Sequence, residues 1–341
     1  MATLNYTRRL ANLAERKFDK ESKQTNFSKS ASASLLPENV KYLVESMRPI
    51  DTSYNQKTLE AANRVNKHLE NNFKLDFSRQ YRTQGSVQTK TNIKVHSDFD
   101  LLTVIDSYYY PEGPSTNKYI KSVPSSDIRE LRKQATSIMK ETYDEINDQG
   151  EKGISIFNKA LGRKVDIVFC FWYNTTKFAE TANEYYRGVY LYNFPQDKKL
   201  LDYPFAAIQN INHKGDTTLD GSRRGIRLLK TLRSDSDLEL TKLKSFQLTS
   251  VVHSIENTNL VFSPGREIHI ANALSGEMGR LIDNPTYRKN VKCPKGYEKP
   301  FESDDIVPDL KSLKRDLDLL ISDTFNELTK SEVVKRAVLN Y

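Results

Sequence analysis

At Ser97-Asp98-Phe99-Asp100-Leu101-Leu102-Thr103-Val104-Ile105, two carboxylates stand at the head of an apolar run. The stretch from Phe99 to Ile105 predicts a buried strand, in which successive side chains alternate between faces. Asp98 and Asp100 then share one face, one pleat apart, while Phe99 and Leu101 point into a core on the other. Carboxylates that close repel each other, and acids at the start of an apolar strand are costly to bury. The pair becomes favourable when a hard cation lies between them, and Mg²⁺ takes one or two carboxylates together with phosphate oxygens. The alternative for a bare D-x-D is a solvated strand edge with two ordinary surface acids.

Two further features bear on that choice. Gln84-Gly85-Ser86-Val87 precedes the pair, with eleven residues between Ser86 and Asp98. A Gly-Ser turn brings backbone N–H groups and a hydroxyl close to phosphate, because glycine lets the main chain approach closely. Asp166 then interrupts the β-branched and aromatic run Lys164-Val165-Asp166-Ile167-Val168-Phe169-Cys170. Alone it reads as a gatekeeper on an edge strand. With the Gly-Ser turn and the D-x-D, three acids on neighbouring strands make a two-metal phosphoryl-transfer site.

Along the chain, strands concentrate in the first half and helices in the second, which predicts an α+β lobe joined to a helical lobe. Helical periodicity is expected from Pro37 to about Pro49 (Val40, Leu43, Val44, Met47), over 55–73, and over 126–148. It is expected again over 221–233, 240–255, 266–283 and 308–337. Residues 163–173 give the strongest strand signal. Residues 1–36 carry seven bases and three acids, 7 − 3 = +4, and end in a Ser-rich stretch that predicts a semi-ordered arm or linker. Lys plus Arg is 52 and Asp plus Glu 44, so the chain carries 52 − 44 = +8, which fits an anionic ligand. Two cysteines, Cys170 and Cys293, are too few for a disulfide framework or a Cys-rich zinc site. No apolar window is long enough for a membrane helix, and the first 30 residues lack a secretory apolar region, so the expected compartment is a reducing cytoplasm.

The Gly-Ser turn, the D-x-D and the third Asp resemble the polymerase-β-like nucleotidyltransferase superfamily. More narrowly, the chain resembles the branch that holds cyclic GMP-AMP synthase, oligoadenylate synthetase and the bacterial CD-NTases, which make cyclic oligonucleotide signals in anti-phage defence. The resemblance runs from about residue 40 to about 255. It implies a core with a mixed β-sheet plus a C-terminal helical bundle, bilobal, with the active site in the cleft. The implied division is a basic arm over 1–36, a catalytic core over 37–205 and a helical lobe over 206–341.

The resemblance also implies roles. Asp98, Asp100 and Asp166 hold two Mg²⁺ or Mn²⁺ ions, and Gln84, Gly85 and Ser86 lie at the nucleotide. In residues 221–234, Arg223, Arg227 and Lys230 recur at i, i+4, i+7 and share one helical face, opposite a core face of Ile226, Leu229 and Leu232. Three cations in a row suit a triphosphate, with a solvated basic face as the alternative. In the family such a helix contacts the nucleotide phosphates, and Lys230 occupies the position of its lysine. A Ser-aromatic pair that touches phosphate and stacks on the base is matched by Ser245 and Phe246, with a core role for Phe246 as the alternative. The zinc module of the animal DNA sensor has no counterpart, so zinc-finger-mediated DNA activation is not supported. An Arg that some relatives place before the helical lobe is absent too, where Tyr203-Pro204-Phe205 stands.

The expected activity is template-independent synthesis of a cyclic di- or trinucleotide from NTPs, read by a downstream effector that binds the product. The alternatives are nucleotide transfer to RNA, protein or a small molecule, and an inactive nucleotide- or RNA-binding module.

Overall fold

The computed structural model describes residues 4–17, 36–95, 99–113, 122–159, 162–330, 334, 338 and 339. Asp98 and the Ser-rich stretch 28–34 lie outside the described residues. The chain forms two compact units. One comprises residues 51–89 and 96–209, the other residues 1–50, 90–95 and 210–341. The first fifty residues thus belong with the C-terminal helices, and so does a short segment, 90–95, between the Gly-Ser turn and the carboxylates.

The sheet unit holds α3 (Thr52–Asn72), β1 (Arg79–Gln84), β2 (Asp100–Pro111), α4 (Pro124–Thr142), β3 (Ile146–Asn147), β4 (Gly153–Asn158), β5 (Arg163–Asn174), α5 (Thr176–Thr181), β6 (Arg187–Asn193) and β7 (Lys198–Asp202). The strands make one mixed sheet in the order β1-β2-β5-β4-β3. β2 and β5 are parallel and every other pairing is antiparallel. β4 takes the first half of one edge of β5, and β6, extended by β7, takes the second half. Leu101, Ile105, Ile167 and Phe169 pack with Ala61, Val65 and Leu69 of α3 and with Ile128, Leu131 and Ala135 of α4. Both helices therefore cover one face of the sheet. On the other face a smaller cluster joins Leu102, Val104, Cys170, Trp172, Val189 and Phe205.

The helical unit contains α1 (Tyr6–Lys17), α2 (Glu38–Met47), α7 (Gly221–Asp235), α8 (Ser245–Ser254), α9 (Glu267–Asp283), α10 (Pro285–Asn290) and α11 (Val307–Lys330). The division between the units falls inside α6 (Pro204–Thr217). Its core gathers Tyr42, Leu43 and Met47 with Ile226, Leu229 and Leu232, and with the apolar stripes of α8, α9 and α11. The apolar face expected of 221–233 is this core face. Gly221 opens α7 where a Cβ would stand 1.7 Å from the Leu260 carbonyl oxygen, so only glycine fits. α1 is fixed by polar contacts. Arg9 is fully buried and reaches Asp316 at 2.7 Å. Arg16 forks onto the Asp235 carboxylate at 2.6 and 2.7 Å, and the Tyr42 hydroxyl donates to the same acid at 2.8 Å. Desolvation offsets much of the gain from such pairs, so they fix register more than they add stability. No described helix is long and apolar enough to cross a membrane.

Several expected elements shift. The helix expected over 126–148 stops at Thr142, because Tyr143 turns extended (φ −122, ψ 129) and Ile146–Asn147 pairs with β4. The helix expected over 240–255 starts at Ser245; Leu240 and Leu243 reach the core from an irregular segment. β2 starts at Asp100, and Phe99 precedes it.

Candidate active site

Four side chains form one row across the sheet. Gln84 opposes Asp100, Asp100 opposes Asp166 and Ser155 opposes Asp166. Opposed residues share a face, and because Leu101 and Ile167 face α3 and α4, this row lies on the other face. Phe99, directly ahead of Asp100, is fully buried against Ala62 and Val87 and anchors the start of β2. Its carbonyl accepts from the Asp166 N–H at 2.9 Å, which locks the two acidic strands in register.

Neighbouring groups orient each carboxylate. Gln84 Nε2 donates to Asp100 Oδ2 at 3.0 Å. The Ser155 hydroxyl donates to Asp166 Oδ1, and Lys164, two residues back on the same face, places Nζ 3.0 Å from that carboxylate. Both acids are half-buried. Like charges directly opposed on a sheet are unfavourable by themselves. Two hard oxygen donors side by side, each held by a hydrogen bond from a neutral side chain, fit a divalent cation of the Mg²⁺ type. Among the described residues no three His, Cys, Asp or Glu side chains gather as a metal set; Asp98, the third acid of the expected set, lies outside them.

The Gly-Ser turn begins where β1 ends. Gly85 has φ +118, a conformation that favours glycine, and Ser86 starts a turn closed by the Thr89 hydroxyl on the Ser86 carbonyl at 3.3 Å. Segment 90–95, which follows, is gripped within the helical unit. Val95 N–H donates to the Arg16 carbonyl at 2.8 Å, Arg227 Nη1 to the Lys90 carbonyl at 2.6 Å, and Lys230 Nζ to the Thr91 carbonyl at 3.1 Å.

That grip corrects one expectation. Arg227, expected at the nucleotide, is fully buried. Its Nε donates to the Met47 carbonyl and its Nη2 to Asp220, each at 2.6 Å. Arg223 is likewise buried, bound to the Asn212 carbonyl at 3.0 Å and to Asp216 at 2.8 Å. The i, i+4, i+7 spacing identifies a shared helical face but not what covers it, and here α2 and segment 90–95 supply carbonyls for the cations. Lys230 is half-buried, and burial beside the Arg227 charge lowers its ammonium pKa to about 8. Ser245 is exposed as the first residue of α8, whose N-terminus receives no side-chain cap from Lys244. Uncapped N–H groups at the positive end of a helix suit an anion. Phe246 beside it is half-buried.

Ser155 and Lys164 are the site neighbours that the sequence pattern did not single out. Lys164 lies at i−2 from Asp166 and was open to the alternation rule. Ser155 needs the β4–β5 register, which no local spacing encodes.

The paired carboxylates on parallel neighbouring strands, the Gly-Ser turn after β1 and the two helices behind the sheet define a polymerase-β-like nucleotidyltransferase. No protein-family profile matches the chain. It is 28% identical over 297 residues to the cyclic dinucleotide synthase CdnE of Yersinia aleksiciae, covering 85% of this chain and 78% of that one. It is 28% identical over 310 residues to a c-di-GMP synthase of Capnocytophaga granulosa, covering 83% and 87%. The structure of a STING-associated CdnE c-di-GMP synthase from Capnocytophaga granulosa superposes with a TM-score of 0.81 at 27% identity, over 95% of this chain and all of that one. Within that class, the proteins this chain is similar to are CD-NTases that make cyclic dinucleotides.

Proposed function

We propose that the chain joins two nucleoside triphosphates into a cyclic dinucleotide, with guanine as the favoured base. The observation that carries this reading is the opposition of Asp100 and Asp166 on parallel strands, with a Gly-Ser turn at the end of the neighbouring strand β1. The choice of product is supported by the similarity to c-di-GMP synthases.

In each round a ribose hydroxyl of one nucleotide attacks the α-phosphorus of the other in line. A new P–O bond forms, the bond to the β-phosphate oxygen breaks, pyrophosphate leaves and the hydroxyl loses its proton. A second round closes the ring and releases a second pyrophosphate. Asp100 and Asp166, with Asp98 assigned on sequence alone, would hold two Mg²⁺ or Mn²⁺ ions. Bound there, the ions would lower the effective pKa of the attacking hydroxyl and neutralise charge on the leaving group. Gln84 and Ser155 keep the carboxylates aimed. Gly85 lets the backbone approach phosphate, and Ser86 offers its hydroxyl. Lys230 and the Ser245 end of α8 bind phosphate oxygens, and Phe246 stacks on a base. Positioning and charge neutralisation supply most of the catalysis in such transfers. The product would be read by a separate effector protein, in keeping with a role in anti-phage signalling.

The test is incubation of the purified chain with the four NTPs and Mg²⁺ or Mn²⁺, then phosphatase treatment and mass spectrometry. A phosphatase-resistant cyclic dinucleotide is expected, rich in guanine. Label transferred only after RNA or a protein acceptor is added would replace this reading by transfer to that acceptor. Nucleotide binding without pyrophosphate release would mark an inactive binding module.

A further inference from the structure

The platform assigned to Phe246 has a neighbour that no motif points to. Residues 293–298 form a tight turn. Gly296 N–H donates to the Cys293 carbonyl at 2.9 Å, and Cys293 N–H to the Glu298 carbonyl at 3.1 Å. Gly296 has φ +91, Cys293 is buried, and Asn210 Nδ2 donates to the Pro294 carbonyl at 2.7 Å, pinning the turn to α6. The turn carries Lys295 with Nζ 5.5 Å from the centre of the Phe246 ring. Glu298 Oε1 lies 3.5 Å from the same ammonium and accepts from the Tyr297 hydroxyl at 3.2 Å.

An ammonium at this radius is attracted by the ring face, and it is within reach of a base that stacks on that ring. Lysine offers donors and no acceptor. Guanine presents two acceptors, O6 and N7, along one edge. Adenine presents N7 beside an N6 amino group that is itself a donor. A donor-only cation beside the platform therefore separates the two purines: it gains two acceptors from one and meets a competing donor on the other.

We propose that Lys295 selects guanine for the base stacked on Phe246, its ammonium donating to O6 and N7. The proposal deepens the nucleotidyl-transfer reading and rests on the platform role of Phe246. Glu298 keeps the ammonium aimed, and the fixed turn holds the side chain at the platform before any nucleotide arrives, which limits the ordering cost on binding.

The experiment measures dissociation constants of the full chain for non-hydrolysable GTP and ATP analogues in Mg²⁺ by calorimetry. It uses wild type, Lys295→Met, Lys295→Arg and Phe246→Ala, each checked by thermal melt. Wild type is expected to prefer the GTP analogue. Lys295→Met should cut the GTP:ATP preference by roughly 5- to 150-fold, and Lys295→Arg should keep it. No preference in wild type, or equal weakening of both analogues by Lys295→Met, overturns the proposal. Phe246→Ala binding both analogues as wild type does would remove the platform, and the proposal with it. Normal base preference without pyrophosphate release would leave Lys295 as the selector and overturn only the transfer reaction.

Discussion

Asp100 and Asp166 sit at opposed positions of the sheet, half-buried, each steadied by a neutral donor from Gln84 or Ser155. Arg223 and Arg227, the like-charged row of the helical unit, are closed over and bound to carbonyls and acids of their own unit. The two rows differ in the work their charges do. The carboxylates oppose each other with Lys164 against Asp166, and a divalent cation between them would neutralise both. The guanidiniums have no repulsion left to relieve, because Met47, Lys90, Asn212, Asp216 and Asp220 already supply acceptors. Opposed carboxylates that stay half-buried, with Lys164 beside Asp166, are better suited to an external cation than guanidiniums closed over by their own unit.

The largest effect should come from the carboxylate row. Asp100→Asn or Asp166→Asn should lower pyrophosphate release by about 10³-fold, since metal-held charge stabilisation is worth several kcal/mol. For Asp100→Asn the melting temperature should stay level or rise, because one of two opposed charges is gone. Arg227→Met should do the reverse and act on stability. In urea, loss of a buried fork from two carbonyls and an acid should cost about 3 kcal/mol of unfolding free energy. Arg227→Lys should not restore it, because an ammonium cannot span three acceptors in one plane. A stable Arg227→Met variant would break the contrast.

Smaller effects sharpen it. Ser155→Ala leaves both carboxylates in place and removes one orienting bond. The Mg²⁺ concentration for half-maximal activity should rise about 10- to 100-fold, the range for groups that orient metal ligands. Lys230 lies between the two kinds of row. Burial beside Arg227 lowers its pKa from the ordinary 10.5 to about 8, so in the nucleotide-free protein its charge fades as pH rises through 8. The KM for NTP should climb a few-fold between about pH 7 and 9, and Lys230→Arg should flatten that climb. The sign for stability is opposite to that of a salt-bridged lysine. The folded chain binds fewer protons than the unfolded one between pH 8 and 10.5, so this group's contribution to stability rises with pH there.

Much of the carboxylate site was legible because strand alternation is a strict two-residue period. Phe99 and Leu101 point into cores as alternation demands, and Asp166 stands out against its apolar run. The partners of the site were not legible. Ser155 reaches Asp166 through strand register, and Lys295 reaches Phe246 through a turn nearly fifty residues further along the chain; neither relation has a local period. The cation row of α7 was legible as a face and misleading as a surface, since helical spacing is the same whether solvent or a neighbouring chain segment lies over it. β6 and β7 escaped because their short runs of Tyr, Val and Leu lack the length that separates a strand from a half-buried loop.

The most direct test of the central claim, that the Asp100–Asp166 pair is the metal seat, is anomalous diffraction from crystals grown with Mn²⁺ and a non-hydrolysable GTP analogue. Mn²⁺ is expected within about 2.1 Å of carboxylate oxygens of both Asp100 and Asp166 and in contact with the triphosphate. A nucleotide bound with Mn²⁺ away from both acids would contradict it.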